Sequence, residues 1–255
     1  MDLTTAGLTG VASAVAAAMN AVVGAGSVVL FPTVVALGYP PLVANVSNTI
    51  GLSPGALASA WSYRDRIRHV GRPAWVLLGF SMVGGIVGGL LLLSLPSAVF
   101  NIVVPLLLAA ASVLAFLNPW VKRHLEQRRG GQPLGRPRVT PLVAGLVLAT
   151  GVYGGYFGAA QGVIGLAVLG TWFTHDMQDA NAVKNLLAAG ANSIAGLLFA
   201  FSGHVDWQLA GVVAVGALIG ATFGSRVARL IPDDVLRTAL VVLGITAAIW
   251  FWVRG

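Results

Sequence analysis

Long apolar runs separated by short polar stretches follow one another along the whole chain. A helix needs about 20 apolar residues to cross a bilayer, and most of these runs are about that long. They predict an all-α integral membrane protein with about five hydrophobic helical segments in each half. The segments lie at roughly residues 6–23, 27–38, 42–62, 74–94 and 97–117, then 140–157, 161–174, 180–201, 207–225 and 233–253.

The second segment of each half is only about a dozen residues long, which is too short for a straight helix to cross a bilayer. Glycine-rich stretches precede both segments, at residues 24–27 and 158–162. Glycine lets the backbone leave the helical conformation at little steric cost. The combination predicts a pair of broken or half-length helices that start near the midplane of the membrane.

The two halves match one another at a constant offset of 136 residues. A matched Ala-Asn pair and a matched proline are harder to attribute to chance than matched glycines in a chain with 33 of them. We therefore predict two related membrane repeats, residues 1–120 and 140–255, joined by a cytoplasmic linker at residues 121–139. The matched positions include Gly26 with Gly162, Ala44-Asn45 with Ala180-Asn181, and Pro96 with Pro232.

Charged residues make up only 9% of the chain, against roughly 25% in soluble domains, and the basic ones collect in a few loops. Loops rich in Lys and Arg stay in the cytoplasm, which places residues 64–72 and the linker there. The equivalent loop of the second half, residues 202–206, has no Lys or Arg and is predicted to lie outside. Equivalent loops on opposite sides indicate an inverted repeat, as in many transporters, with both termini outside.

The composition also excludes several functions. The chain has no cysteine, so it forms no disulfide and holds no Cys-ligated metal. Its formal net charge of +7 follows from the basic loops and does not indicate a nucleic-acid partner. The 4 histidines lie in or beside polar loops without metal-binding spacing. We predict no cofactor, no metal site, no nucleic acid and no enzymatic activity.

The two glycine-rich breaks are candidates to line a substrate cavity. A helix that begins inside the membrane leaves N–H groups unpaired at the positive end of its dipole, and such an end attracts anions. Unwound backbone at that depth is tolerated only beside protein or a cavity. The alternative is close packing of helices on small residues. The candidate residues are Gly26 and Ser27 in the first half, with Gln161 and Gly162 in the second.

Amide side chains cluster in the third segment of each half. Within a membrane an amide must be paired, so it either binds substrate or forms a hydrogen bond to a neighbouring helix. Two clusters at equivalent positions favour a binding site. The one lysine among them either faces this site or extends to the surface, where Asp176 or Asp179 would meet it. The candidates are Asn45 and Asn48, then Asn181, Lys184, Asn185 and Asn192.

The apolar segments contain no pair of carboxylates for binding a cation or relaying protons. A site built from amides, hydroxyls, helix N-termini and one lysine suits a small anion instead. Two other hypotheses stay open at this point. One is an intramembrane enzyme or assembly factor that uses His204 and Asp206, and the other is an anion channel, which needs no alternating access.

Glycines at four-residue spacing in the fourth segments are typical of closely packed helices. Examples are Gly84 with Gly88 and Gly216 with Gly220. We therefore predict that these glycines serve packing rather than binding.

Four stretches form a recognisable set of motifs. They are GAGSVVLFP at residues 24–32, GVYGGYFG at 151–158, ANAVKN at 180–185 and FSGHVDW at 201–207. The set resembles the TauE/SafE sulfite-exporter family over nearly the whole chain, with Gln161 where that family usually has Gly. The resemblance implies a multi-pass permease of the bacterial inner membrane that moves sulfite, sulfonates or related organic anions. Its partners would be the small anion and the lipid bilayer, and a homodimer is compatible with it.

Overall fold

The computed structural model describes residues 1–22, 24–127, 137–174 and 176–227, together with Thr246. Over these residues the predicted all-α class is confirmed. The helices are α1 (Leu3–Val22), α2 (Ser27–Ala36), α3 (Pro41–Ser62), α4 (Arg64–Val70), α5 (Arg72–Ser94), α6 (Ser97–Gln127), α7 (Pro141–Tyr156), α8 (Gln161–Trp172), α9 (Met177–Ala200) and α10 (Trp207–Val227).

Eight of the predicted segments coincide with helices to within a few residues, and a ninth, 97–117, coincides with the start of α6. The tenth, 233–253, lies outside the described residues. Two predictions were wrong in detail. The basic stretch expected as a loop contains the short helix α4, which buries Ile67 and Val70 and carries Asp65 in its first turn and Arg68 in its last. These charges complement the helix dipole. Helix α6 continues to Gln127, ten residues past the apolar segment and into the predicted linker, because charged residues are good helix formers.

The helices are interrupted at the two glycine-rich breaks. Gly24 has φ +83°, and in the second break Gly158 has φ +73° and Ala160 has φ +57°. Only glycine adopts this left-handed conformation without steric cost. Gly24 and Ala160 are matched at the offset of 136, so the two halves repeat this local backbone conformation.

The helices that follow the breaks are short. Helix α2 has 10 residues and α8 has 12, which gives lengths of about 15 and 18 Å at about 1.5 Å per residue. The apolar core of a bilayer is about 30 Å thick. Both helices are therefore about half of a membrane span in length.

The helices pack in two groups of four. In the α9 bundle, α5 contacts α7 and α9, and α8 contacts α7 and α9. In the α3 bundle, α10 contacts α1 and α3, and α2 contacts α1 and α3. Helices α3 and α9 contact each other and join the two bundles.

Glycines allow the closest of these helix contacts. A Cβ atom on Gly84 would collide with the Leu148 carbonyl oxygen of α7, and one on Gly220 would collide with the Ala14 carbonyl oxygen of α1. The predicted packing role of these glycines is thus confirmed.

The outer surface is largely apolar. In the described part of the chain, α5 and α9 are both long and apolar enough to cross a membrane. Large apolar side chains such as Leu90, Ile102 and Phe223 are exposed on the outside of the helices. Such an extensive apolar surface indicates contact with lipid or with another protein chain.

Candidate functional site

The two breaks meet backbone to backbone. The Gly162 N–H donates a hydrogen bond to the Gly24 carbonyl oxygen at 3.1 Å. A Cβ atom added to Gly162 would lie 2.5 Å from the Gly24 Cα atom, so neither residue has room for a side chain. Gly26, two residues on, is pressed against the Ala16 carbonyl oxygen of α1, and Ser27, half-buried, begins α2.

The N–H groups at the start of α8, which the sequence predicted as anion donors, already donate hydrogen bonds to the backbone. At the start of α8, the Gln161 N–H donates to Gly158, the Gly162 N–H to Gly24 and the Val163 N–H to Ala160. All three acceptors are backbone carbonyl oxygens. In this conformation any donors that α8 offers to a ligand are therefore side chains rather than these N–H groups.

A small cavity lies beside the start of α8, inside the α9 bundle. Its volume is about 10 Å³, which is room for about one water molecule. The polar residues that line it are Ser81, Thr150, Gln161 and Lys184, and the apolar ones include Val147, Val168 and Leu187.

Two side chains give this cavity its donor character. Lys184 is 3% exposed and Gln161 is 4% exposed. The Gln161 carboxamide fits against Gly154, where any side chain would overlap it, and Gln161 Oε1 has no hydrogen-bond partner among the described residues. The hydroxyls of Ser81 and Thr150 donate to the carbonyl oxygens of Leu187 and Leu146, which leaves their lone pairs as acceptors.

Lys184 lines this cavity instead of extending along the helix to the surface. The two aspartates that an extended Lys184 would meet at the surface, Asp176 and Asp179 at the start of α9, contact Arg66 of α4. Their carboxylates lie 3.7 and 3.5 Å from Arg66. The Tyr63 hydroxyl accepts a hydrogen bond from the Asn181 side chain at 2.9 Å. These contacts hold α4 over the N-terminal end of α9, at the predicted cytoplasmic side.

The matched asparagines make interhelical hydrogen bonds. Asn45 Nδ2 donates to the Tyr156 carbonyl oxygen at 3.1 Å, at the end of α7, and Asn181 contacts Tyr63 as described. The Asn192 carboxamide lies beside Gly158 in the second break. None of these three lines the cavity. Asn45 and Asn181 thus make the interhelical contacts that were the alternative to substrate binding.

Asn48 and Asn185 are buried without such contacts. Asn48 is 4% exposed, and neither its Nδ2 nor its Oδ1 has a partner within the described residues. The same holds for Asn185 Nδ2. Neither residue lines the cavity. An unsatisfied buried amide costs roughly 1–3 kcal/mol. Both side chains therefore carry hydrogen-bonding groups that lower stability and that no described residue satisfies.

Two hydroxyls of the cavity, and the alignment of its lysine and glutamine with the other half of the chain, were not predicted from the sequence. Ser81 and Thr150 are isolated polar residues in apolar segments, where no spacing distinguishes them from helix-bonded hydroxyls. The offset of 136 aligns Lys184 with Asn48 and Gln161 with Ala25. This alignment was available from the sequence and would have identified Lys184 as the substituted member of a matched pair.

The described residues hold no cluster of three or more His, Cys, Asp or Glu side chains fit to bind a metal. Asp206, a member of the rival catalytic pair, caps α10 by accepting from the Leu209 N–H at 2.9 Å. Its own N–H donates to Ser47 of α3 at 3.0 Å, and the backbone N–H of its neighbour His204 donates to Ser202 at 3.3 Å. These contacts give Asp206 a structural role.

Comparison with known proteins places the chain among membrane transporters. The model of the family described as sulfite exporter TauE/SafE matches residues 9–251. A probable membrane transporter protein of Haemophilus influenzae is 26% identical over 232 residues, 90% of this chain and 87% of that one. ORF9 of Sinorhizobium, a probable membrane transporter protein, is 28% identical over 242 residues, 94% and 89% of the two chains. The probable membrane transporter protein YfcA of Escherichia coli K12 is 28% identical over 227 residues, 88% and 81%. No solved structure matches.

Proposed function

This chain belongs to the sulfite exporter TauE/SafE family, and from this premise we propose that it carries sulfite, a sulfonate or a related small anion. The family and its relatives make the chain a membrane transporter. Support for a small anion as the substrate comes from the chemistry of the cavity in the α9 bundle.

The observation that carries the proposal is the buried lysine in that cavity. Lys184 and Gln161 both line it, each less than 5% exposed, and no carboxylate is among the lining residues. An ammonium group strongly favours an anion in a site of low dielectric constant. A cation site would require buried oxygen ligands of negative charge.

The size of the cavity indicates which state of a transport cycle it fits. Room for about one water molecule is too little for a sulfite ion, so binding requires the surrounding helices to separate. We assign this conformation to an occluded state. The contact between Gly24 and Gly162 lies beside the cavity and would act as the point about which the two halves move.

Alternating access is further supported by the pairing of helices. The α9 bundle and the α3 bundle use matched helices in matched contacts, and each takes three helices from one half of the chain and the fourth, α5 or α10, from the other. Bundles related in this way can rock against each other during transport. We propose an inverted repeat in a multi-pass protein of the bacterial inner membrane, with residues 64–72 in the cytoplasm. The segment 233–253, which would complete the second repeat, lies outside the described residues.

A counterflow assay tests this function. Purified protein in liposomes loaded with unlabelled sulfite should accumulate external radiolabelled sulfite, with saturation. Lys184→Met should abolish uptake, and Lys184→Arg should retain part of it because the charge is kept. Linear, non-saturating flux would indicate a channel instead.

The enzyme hypothesis is tested in the same liposomes. His204→Ala should transport at the rate of the unmodified protein, because the His204 backbone rather than its ring makes the observed contact. Loss of uptake in a folded His204→Ala protein, with Lys184→Met unaffected, would contradict the proposed site.

A further inference from the structure

A second, larger recess opens on the outer surface, away from the cavity of the α9 bundle. It lies between α3, α4, α5 and α9, and its volume is about 500 Å³. Its walls are apolar and include Leu57, Leu78, Met82 and Leu186. Gly190 of α9 forms part of the floor, where a Cβ atom would collide with Leu78. We call this recess the α3–α5 groove.

One end of the α3–α5 groove carries aromatic and cationic side chains. Trp61 is 68% exposed and Trp75 is 55% exposed, and both line the groove. The Arg64 guanidinium lies 5.6 Å from the centre of the Trp61 ring, and Arg68 also lines this end. Tryptophan is enriched where a protein crosses the boundary between acyl chains and headgroups, so this end marks that boundary.

Among the residues that the structure describes, the charge at this end is only partly balanced. Arg64 and Arg68 lie 4.0 and 3.6 Å from the same carboxylate, that of the exposed Asp65. Arg66 faces the other way and contacts Asp176 and Asp179 of α9. Two guanidinium groups thus share one carboxylate at the end of an apolar groove, which leaves one positive charge for a ligand.

We propose that the α3–α5 groove binds an anionic phospholipid of the cytoplasmic leaflet. The phosphate lies between Arg64 and Arg68, and an acyl chain follows the apolar walls past Leu78 and Met82. The anionic surface of that leaflet favours basic residues at this depth. A second copy of the chain is a poorer occupant, because a two-fold contact brings the same arginines of both copies together.

Native mass spectrometry of the full-length protein in detergent tests this proposal. Dioleoyl phosphatidylglycerol should bind more tightly than dioleoyl phosphatidylcholine. The double variant Arg64→Gln/Arg68→Gln should weaken phosphatidylglycerol binding about tenfold and leave phosphatidylcholine unchanged. The matched control is Arg72→Gln, which removes a nearby charge that does not line the groove and should have no effect. Equal binding of the two lipids, or an equal loss in the control, would overturn the proposal.

A second measurement keeps the proposal testable if the double variant is unstable. Phosphatidylglycerol with brominated acyl chains should quench the fluorescence of the unmodified protein more than that of the Trp61→Phe/Trp75→Phe variant. Trp207→Phe removes a similarly exposed tryptophan at the start of α10, which does not line the groove. This variant should be quenched as strongly as the unmodified protein. If a cysteine at Leu57 instead crosslinks two copies in the membrane, the groove is a subunit interface and the lipid proposal is wrong.

Discussion

The α9 bundle and the α3 bundle share a helix arrangement but differ in chemistry. The polar cavity positions Ser81, Thr150, Gln161 and Lys184 correspond, at the offset of 136, to Ala217, Ala14, Ala25 and Asn48. Every hydroxyl and the glutamine become alanine, and the lysine becomes an uncharged amide. Ala25 and Ala217 are fully buried, so at these two positions the α3 bundle packs apolar side chains where the α9 bundle has polar ones. The helix contacts of the two bundles correspond, whereas at these matched positions the hydroxyls, the glutamine and the lysine occur in the α9 bundle alone.

The same contrast appears at the ends of the bundles. Arg66, which contacts Asp176 and Asp179 at the end of the α9 bundle, corresponds to Ser202. The two aspartates correspond to Pro40 and Val43. The ionic contact between α4 and the start of α9 is thus present at only one of the two equivalent ends. The buried Lys184 and the ion pairs of Arg66 thus lie in the same bundle, and the following changes test what each contributes.

The largest effect is expected from giving the matched positions 184 and 48 the same side chain. Lys184→Asn gives the α9 bundle the residue found at the matched position of the α3 bundle. Removal of a buried charged donor to a bound anion costs about 3 kcal/mol, so sulfite affinity should fall on the order of 100-fold. Isothermal titration calorimetry in detergent measures this loss of sulfite affinity.

The control for this change is Asn48→Ala in the α3 bundle. Because Asn48 does not line the cavity, sulfite affinity should change by less than about threefold, well under one tenfold step of 1.4 kcal/mol. An equal loss in both variants would mean that the two bundles share the substrate, and the contrast drawn above would fail.

How much of this site could be predicted from the sequence depends on whether a feature follows from local sequence or from the packing of distant helices. The segments, the breaks and the packing glycines follow from apolar length and from glycine chemistry, which are local properties. Whether a buried asparagine binds substrate or contacts another helix is not decided by its local sequence. Asn45 and Asn181 look the same in sequence as Asn48, but the first two meet acceptors on other helices. Such partners depend on how distant helices pack, which neither spacing nor composition encodes.

The contact between the breaks should be the next most sensitive feature. Gly162→Ala places a methyl group 2.5 Å from the Gly24 Cα atom, where the backbone has to move. Overpacking of this kind costs roughly 1–3 kcal/mol, and we expect about 2 kcal/mol of lost stability. Thermal unfolding followed by tryptophan fluorescence in detergent measures the loss.

A matched control is available in α7. A Cβ atom on Gly145 meets nothing within 4 Å, so Gly145→Ala should leave stability unchanged or raise it by up to about 1 kcal/mol through higher helix propensity. If Gly162→Ala is as well tolerated as Gly145→Ala, the two breaks do not meet in the membrane.

A smaller loss is expected when the glutamine is made to match the α3 bundle. Gln161→Ala reproduces Ala25 and removes an uncharged donor from the cavity. A neutral hydrogen bond contributes about 1 kcal/mol, which predicts about a fivefold weaker affinity for sulfite in the same titration. Gln178→Ala, on the exposed start of α9, is the control. An unchanged affinity for Gln161→Ala would leave Lys184 as the sole donor of the site.

The smallest effect is expected from the ionic contact between α4 and α9. Arg66→Ser gives the end of the α9 bundle the residue found at the equivalent position, Ser202, and removes both contacts to Asp176 and Asp179. Arg66 is half exposed, so its ion pairs contribute about 0.5–1 kcal/mol. Loss of that energy should let α4 separate from α9 about threefold more often and should open the cavity towards the cytoplasm.

The absence of native cysteines makes this opening measurable. A single cysteine introduced at Val168, in the cavity wall, should react with a charged thiol reagent about threefold faster in inside-out vesicles when Arg66→Ser is added, in line with the energy of a half-exposed ion pair. Adding Arg72→Ser instead removes a basic residue of the same stretch without touching the aspartates, and it should leave the rate unchanged. Faster labelling from the opposite side of the membrane would reverse the orientation proposed for the repeat. An unchanged rate from either side would show that α4 does not limit access to Lys184.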